Sequence, residues 1–194
     1  MMRLFTLALV MMLSFAQGAF AGESNGVNGE SKSTASFDQK EVMAKAEGFF
    51  GDVSEGLAKA ISKVFEDQGE PNAIITGEEI SGAIGIGVRY GQGEIQLPNG
   101  SARDIFWQGP SVGFDAGGNA SKTFTLVYNL KNPEQIFQRF PGVEGSFYFV
   151  AGVGVNYLQS GNVIIAPIRT GVGMRTGANI GYLHFTKKKS WIPF

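Results

Sequence analysis

From Asn72 onward the chain alternates, and glycine takes an unusual share of the alternate places. Ile84, Ile86, Val88 and Tyr90 are separated by Gly85, Gly87 and Arg89. Phe124, Leu126, Tyr128 and Leu130 alternate with Thr125, Val127 and Asn129. A period of two is the signature of a strand with one buried face, because successive side chains leave opposite sides of the backbone. The 28 glycines in 194 residues are about double the usual share. They keep no three-residue period, which excludes collagen, and their mixing with Phe, Ile, Val and Tyr excludes a low-complexity chain. Glycine at alternate positions strips one strand face, so the strand can coil tightly or let another backbone approach. The motif recurs as Gly85-Ile86-Gly87-Val88-Arg89-Tyr90, Gly152-Val153-Gly154-Val155-Asn156-Tyr157 and Gly171-Val172-Gly173-Met174-Arg175-Thr176. Its uneven spacing excludes a solenoid.

Turn signals cut this region into strands. Pro98-Asn99-Gly100 reads as a hairpin turn between residues 94–97 and 103–108. Residues 145–158 place Phe147, Phe149, Val153, Val155 and Tyr157 on one predicted face, and 163–168 and 172–185 add two more strands. The rhythm predicts roughly nine strands. The expected fold is mainly β with an N-terminal helix: a small soluble antiparallel β-barrel.

The helix is predicted over 38–68, where Val42, Ala46, Phe49, Phe50, Val53, Leu57, Ala60, Ile61 and Val64 recur every three or four residues. Asp38 and Glu41 have the spacing of a capping box. Gly48, Gly51 and Gly56 weaken the helix by about 1 kcal/mol each relative to Ala, and a break is expected near Gly51-Asp52. Gly69 and Pro71 end it. A stripe this wide needs a partner surface, so the helix should lie against the sheet or plug its end. Asn132 and Pro133 open a further short helix.

Upstream, Arg3 precedes an apolar run over 4–15 and the small-x-small triplet Ala19-Phe20-Ala21. This is the pattern of an export signal cleaved after Ala21, too short to span a bilayer. The expected organisation is a signal peptide at 1–21, a flexible leader at 22–36 and one domain at 37–194. With no Cys in the chain, an exported domain of this size fits a bacterial periplasm.

Composition also limits chemistry. Sixteen basic and 17 acidic residues give a net charge of −1, which argues against a nucleic-acid partner. One His and no Cys give no metal-ligand spacing. The glycines at 85, 87 and 91 lie inside a strand and miss the dinucleotide fingerprint. Glu78 and Glu79 are adjacent, so on a strand they face opposite ways and form no acid–base pair. No catalytic, cofactor-binding or metal site is assigned, and no cofactor is expected. Lys187-Lys188-Lys189 reads as a solvated tail or as a contact for anionic lipid. With Pro193 it interrupts the last segment, against an integral outer-membrane barrel.

Two residue sets remain as candidates. Sixteen Phe fill a core or line an apolar pocket, and Phe106, Trp107, Phe114, Phe124, Phe147 and Phe149 are the candidate lining for a lipid-like ligand. Arg89, Arg169 and Arg175 stand on apolar or glycine-rich strands. They pair with Asp115 or Glu residues, or bind an anion.

Several segments also resemble a known family. Phe49-Phe50-Gly51, Arg89-Tyr90-Gly91-x-Gly93, Phe106-Trp107-Gln108-Gly109-Pro110-Ser111-Val112-Gly113-Phe114-Asp115 and Pro167-Ile168-Arg169-x-Gly171-Val172-Gly173-x-Arg175 are similar to the EipA-like envelope-integrity proteins of alphaproteobacteria. The likeness covers residues 37–194. It implies a soluble periplasmic β-barrel that supports the cell envelope without an established enzymatic activity, its partner an unknown envelope component or lipid-like ligand. A shorter likeness, Trp107 to Asp115, reaches the SYLF lipid-binding domains. An enzyme acting on envelope polymers is the remaining alternative, and neither likeness transfers a catalytic residue.

Overall fold

In the computed structural model the described residues are 35–170 and 181–190, and at 83–86 and 111–119 the backbone alone is described. The signal pattern, most of the leader, Arg175 and the side chains of Phe114 and Asp115 therefore lie outside the described residues.

The predicted helix is two helices. α1 (Gln39–Phe50) starts on the Asp38/Glu41 capping box and stops at Gly51, whose φ of 87° is left-handed. α2 (Glu55–Gln68) starts on Ser54, whose hydroxyl accepts from Leu57 N–H at 3.2 Å. The break falls where a residue without Cβ adopts that φ at no steric cost. Both helices turn their apolar stripe inward, α1 through Val42 and Ala46, α2 through Leu57, Ala60, Ile61 and Val64. No helix among the described residues is long and apolar enough to cross a membrane.

The sheet is antiparallel and curled into a half-barrel. Its largest part is one long hairpin of β1 (Ala73–Gln96) and β2 (Ala102–Tyr128), paired from Ala73↔Val127 to Gln96↔Ala102 with one register shift between Ser81 and Ala83. The turn is the predicted one: Leu97 N–H donates to Ser101 O at 2.9 Å and Gly100, at φ 82°, donates to Leu97 O at 3.0 Å. After a 3₁₀ turn at Pro133–Ile136, capped by Asn132, come β3 (Arg139–Pro141), β4 (Tyr148–Val150), β5 (Val153–Val155), β6 (Leu158–Ser160), β7 (Val163–Thr170) and β8 (Tyr182–Thr186). The order is β3-β8-β2-β7-β5-β4, with β1 on β2 and β6 on β7. Eight strands are thus described, against the roughly nine that turn spacing predicts. β1 and β2 each run unbroken through two expected strands, because glycine lets them bend instead of stop.

One expectation about faces is corrected. Residues 145–158 do not form one strand: Ala151 (φ 45°) and Gly152 (φ 87°) turn the chain back between β4 and β5. Phe149 therefore pairs with Gly154, while Val153 and Val155 are buried on the other face.

The curl separates two cores. On the outer face Ile74, Phe124, Leu126 and Tyr128 meet the helices, and Phe124 packs near Phe49 and Phe50 with ring centroids 6.3 and 6.2 Å away. Inside the curl, Ile75, Ile95, Ile105, Trp107, Phe140, Leu183 and Phe185 form the second core. Each fully buried large apolar side chain in either core contributes about 1.5–3 kcal/mol. The curl is tight enough that β1 meets itself: a Cβ on Gly93 would collide with the Thr76 carbonyl, and one on Gly77 with that of Gln92.

Candidate functional site

The inner face of β1 carries Gly77, Glu79, Arg89, Gly91 and Gly93, which share one parity. Trp107 pairs with Gly91 across the hairpin, and its ring fills the space over Gly91 and Gly77 that any side chain there would occupy. Its indole N–H donates to Glu79 Oε2 at 2.9 Å in the buried interior. Arg169, from β7, donates through Nε to Glu79 Oε1 at 3.1 Å and through Nη2 to Oε2 at 3.4 Å. Arg89 stands 3.6 Å from Glu79 Oε1 and donates through Nε to the Pro110 carbonyl at 3.1 Å. Arg169 also donates to Asn156 Oδ1 at 3.0 Å.

Burial pushes the Glu79 carboxyl upward, but Arg169, Arg89 and the Trp107 N–H outweigh it and hold it below its ordinary value. Burial draws Arg89 downward, against the attraction of Glu79, and Arg169 adds to the lowering. A carboxylate so fixed remains ionised near neutrality and is not poised to exchange a proton.

A second feature lies on the outer face at the seam where β1 curls on itself. Glu78, Ile80, Tyr90, Phe106, Trp107 and Lys189 border a groove of about 150 Å³. Glu78 and Ile80 are exposed.

The candidate residues divide accordingly. Arg89 and Arg169 come together on Glu79; Phe106 borders the outer groove, while the Trp107 ring is turned into the inner core. Phe124 is buried under the helices. Phe147 and Phe149 are 40 and 42% exposed near the β4 edge. Among the described residues the aromatics therefore lie on different surfaces and enclose no common pocket. Sequence reasoning separated Glu78 from Glu79 correctly, but missed Glu79 as the common partner of both arginines. Its parity with Arg89, on the glycine side of β1, was the available signal. Asn156 was missed as well, and only the β4–β5 turn explains its inward position.

The model of the envelope integrity protein A family matches residues 35–194. The chain belongs to the EipA family. The crystal structure of a beta-barrel-like, uncharacterized protein from Brucella abortus is 43% identical, covering 82% of this chain and 99% of that one, with a TM-score of 0.73. No curated protein matches the chain. EipA membership and this neighbour account for the mainly β, barrel-like architecture, and the family name associates it with envelope integrity.

Proposed function

We propose that this chain works in the periplasm as a non-enzymatic support of bacterial envelope integrity. The observation that carries the non-enzymatic reading is the Glu79 cluster. The most buried carboxylate among the described residues takes one N–H from Trp107 and two from Arg169, an arrangement suited to fixing strands rather than to proton transfer. The export pattern ending at Ala21 and the family name support the compartment and the role. Deleting the gene should lower tolerance to detergent and osmotic stress, and the tagged protein should appear in osmotic-shock fluid beginning at Gly22. The Glu78→Gln and Asp104→Asn variants should complement the deletion. Unchanged tolerance sinks the envelope role, retention in the cytoplasm sinks the compartment, and loss of complementation by either variant sinks the non-enzymatic reading.

The groove favours a second reading, the binding of an apolar or lipid-like ligand. Phe106 borders it beside Ile80 and Tyr90. Native mass spectrometry of gently purified protein should then return an adduct that Phe106→Ala loses. Empty protein in every preparation removes this reading.

A further inference from the structure

We infer that the inner cluster around Arg169 is a binding site for one compact oxyanion, a phosphate or a carboxylate group. Glu79 offers one negative charge to two guanidinium groups. Among the described residues no second carboxylate contacts Arg89 or Arg169. Their side chains are only 13 and 12% exposed, so water screens these two cations poorly.

Hydrogen bonding gives a second, independent observation. Asn156 and Thr123 are each 2% exposed. Asn156 places its carbonyl oxygen on Arg169, yet its Nδ2 has no partner, and Thr123 Oγ1 has none either. Buried polar atoms are nearly always satisfied, so two orphans beside one cluster call for an explanation. Thr123 is the register partner of Arg169 on β2, which puts both side chains on one sheet face. An amide N–H, a hydroxyl and the guanidinium N–H groups that Glu79, Asn156 and Pro110 leave over are the donor set of an oxyanion site, for phosphate and carboxylate oxygens alike. A single bound oxyanion gives Nδ2 and Oγ1 an acceptor.

The test is thermal unfolding of the purified protein at constant ionic strength, with sodium phosphate, sodium acetate or dihexanoyl phosphatidate replacing chloride. Occupancy at a hundredfold excess over Kd should raise Tm by about 5–10 °C. A rise with phosphate or acetate identifies a free ion as sufficient, and a rise with phosphatidate alone identifies a lipid headgroup. Asn156→Asp supplies a negative charge from the chain itself without changing side-chain size. It should raise the basal Tm and abolish the shift. An unchanged Tm with all three anions overturns the site, as does a shift that survives intact in Asn156→Asp.

Discussion

Trp107 and Glu79 stand 28 positions apart in sequence and 2.9 Å apart through an indole N–H and a carboxylate oxygen, in the buried interior. The bond ties the glycine-lined face of the hairpin to the charged cluster. Each element depends on the other: Trp107 fits because Gly77 and Gly91 lack side chains, and Glu79 remains charged partly because Trp107 donates to it.

Trp107→Phe keeps most of the ring and removes the donor. It should cost about 1–3 kcal/mol, the penalty of leaving a buried acceptor short. Urea unfolding measures it, and a change under about 0.5 kcal/mol would show that the bond is dispensable.

Glu79→Gln leaves two buried arginines without their shared anion and should destabilise the fold by about 3–5 kcal/mol. The direction with pH follows from the lowered carboxyl. A depressed acid contributes stability that is complete above its unfolded value of about 4.3 and is lost as pH falls through the folded one. Stability of the native protein should therefore decline below about pH 4.3, with a shallower decline in Glu79→Gln. Equal slopes in the two proteins would remove Glu79 from acid unfolding.

His184 acts at milder acidity. Burial first, then Arg139, hold its imidazole below the ordinary value. The unfolded chain consequently takes up the proton first, so stability is complete above about pH 6.5 and falls as pH drops through that region. Following the His184 ring protons by NMR should place its midpoint below 6.5. A midpoint above that would reverse the sign.

Glycine substitutions should divide by location. At Gly91 a Cβ runs into the Trp107 ring, and at Gly93 into the Thr76 carbonyl. Gly91→Ala and Gly93→Ala should each cost about 1–3 kcal/mol through overpacking. Gly48, in α1, has nothing within 4 Å of the same position, so Gly48→Ala should gain up to about 1 kcal/mol. Thermal unfolding of the three variants checks the ranking.

The aromatic residues offer a comparable contrast. Phe124→Ala empties a fully buried site and should cost about 3–5 kcal/mol. Phe147→Ser and Phe149→Ser alter residues exposed by 40 and 42% and should stay within about 0.5 kcal/mol. A large loss at either exposed position would mean that the β4 edge is buried against something in solution.

Local chemistry made much of this legible. The Asp38 cap, the break at Gly51, the turn at Pro98 and the cap at Asn132 all depend on neighbours within a few residues, and each appears where the pattern predicts. Period two put Phe124, Leu126 and Tyr128 on one face, and all three lie in the core under the helices. What escaped depends on pairing between distant segments. Nothing near Phe149 reveals that a left-handed Ala151 reverses the chain, and nothing near Glu79 reveals Arg169, 90 residues away. Strand continuity escaped too, because a glycine that bends a strand and one that ends it look alike in sequence.

The long hairpin has a kinetic side. Ala73 and Val127 are far apart in sequence, yet every pair between them and the Pro98 turn lies along one ladder. Once the turn closes, each new pair needs only a small additional loop closure, so the hairpin can zip outward. The helices, β7 and β8 then have a surface on which to condense. The loop closure of lowest entropic cost along this ladder is therefore at the short stretch around Asn99 and Gly100. A protein delivered across a membrane as an unfolded chain would begin its structure there.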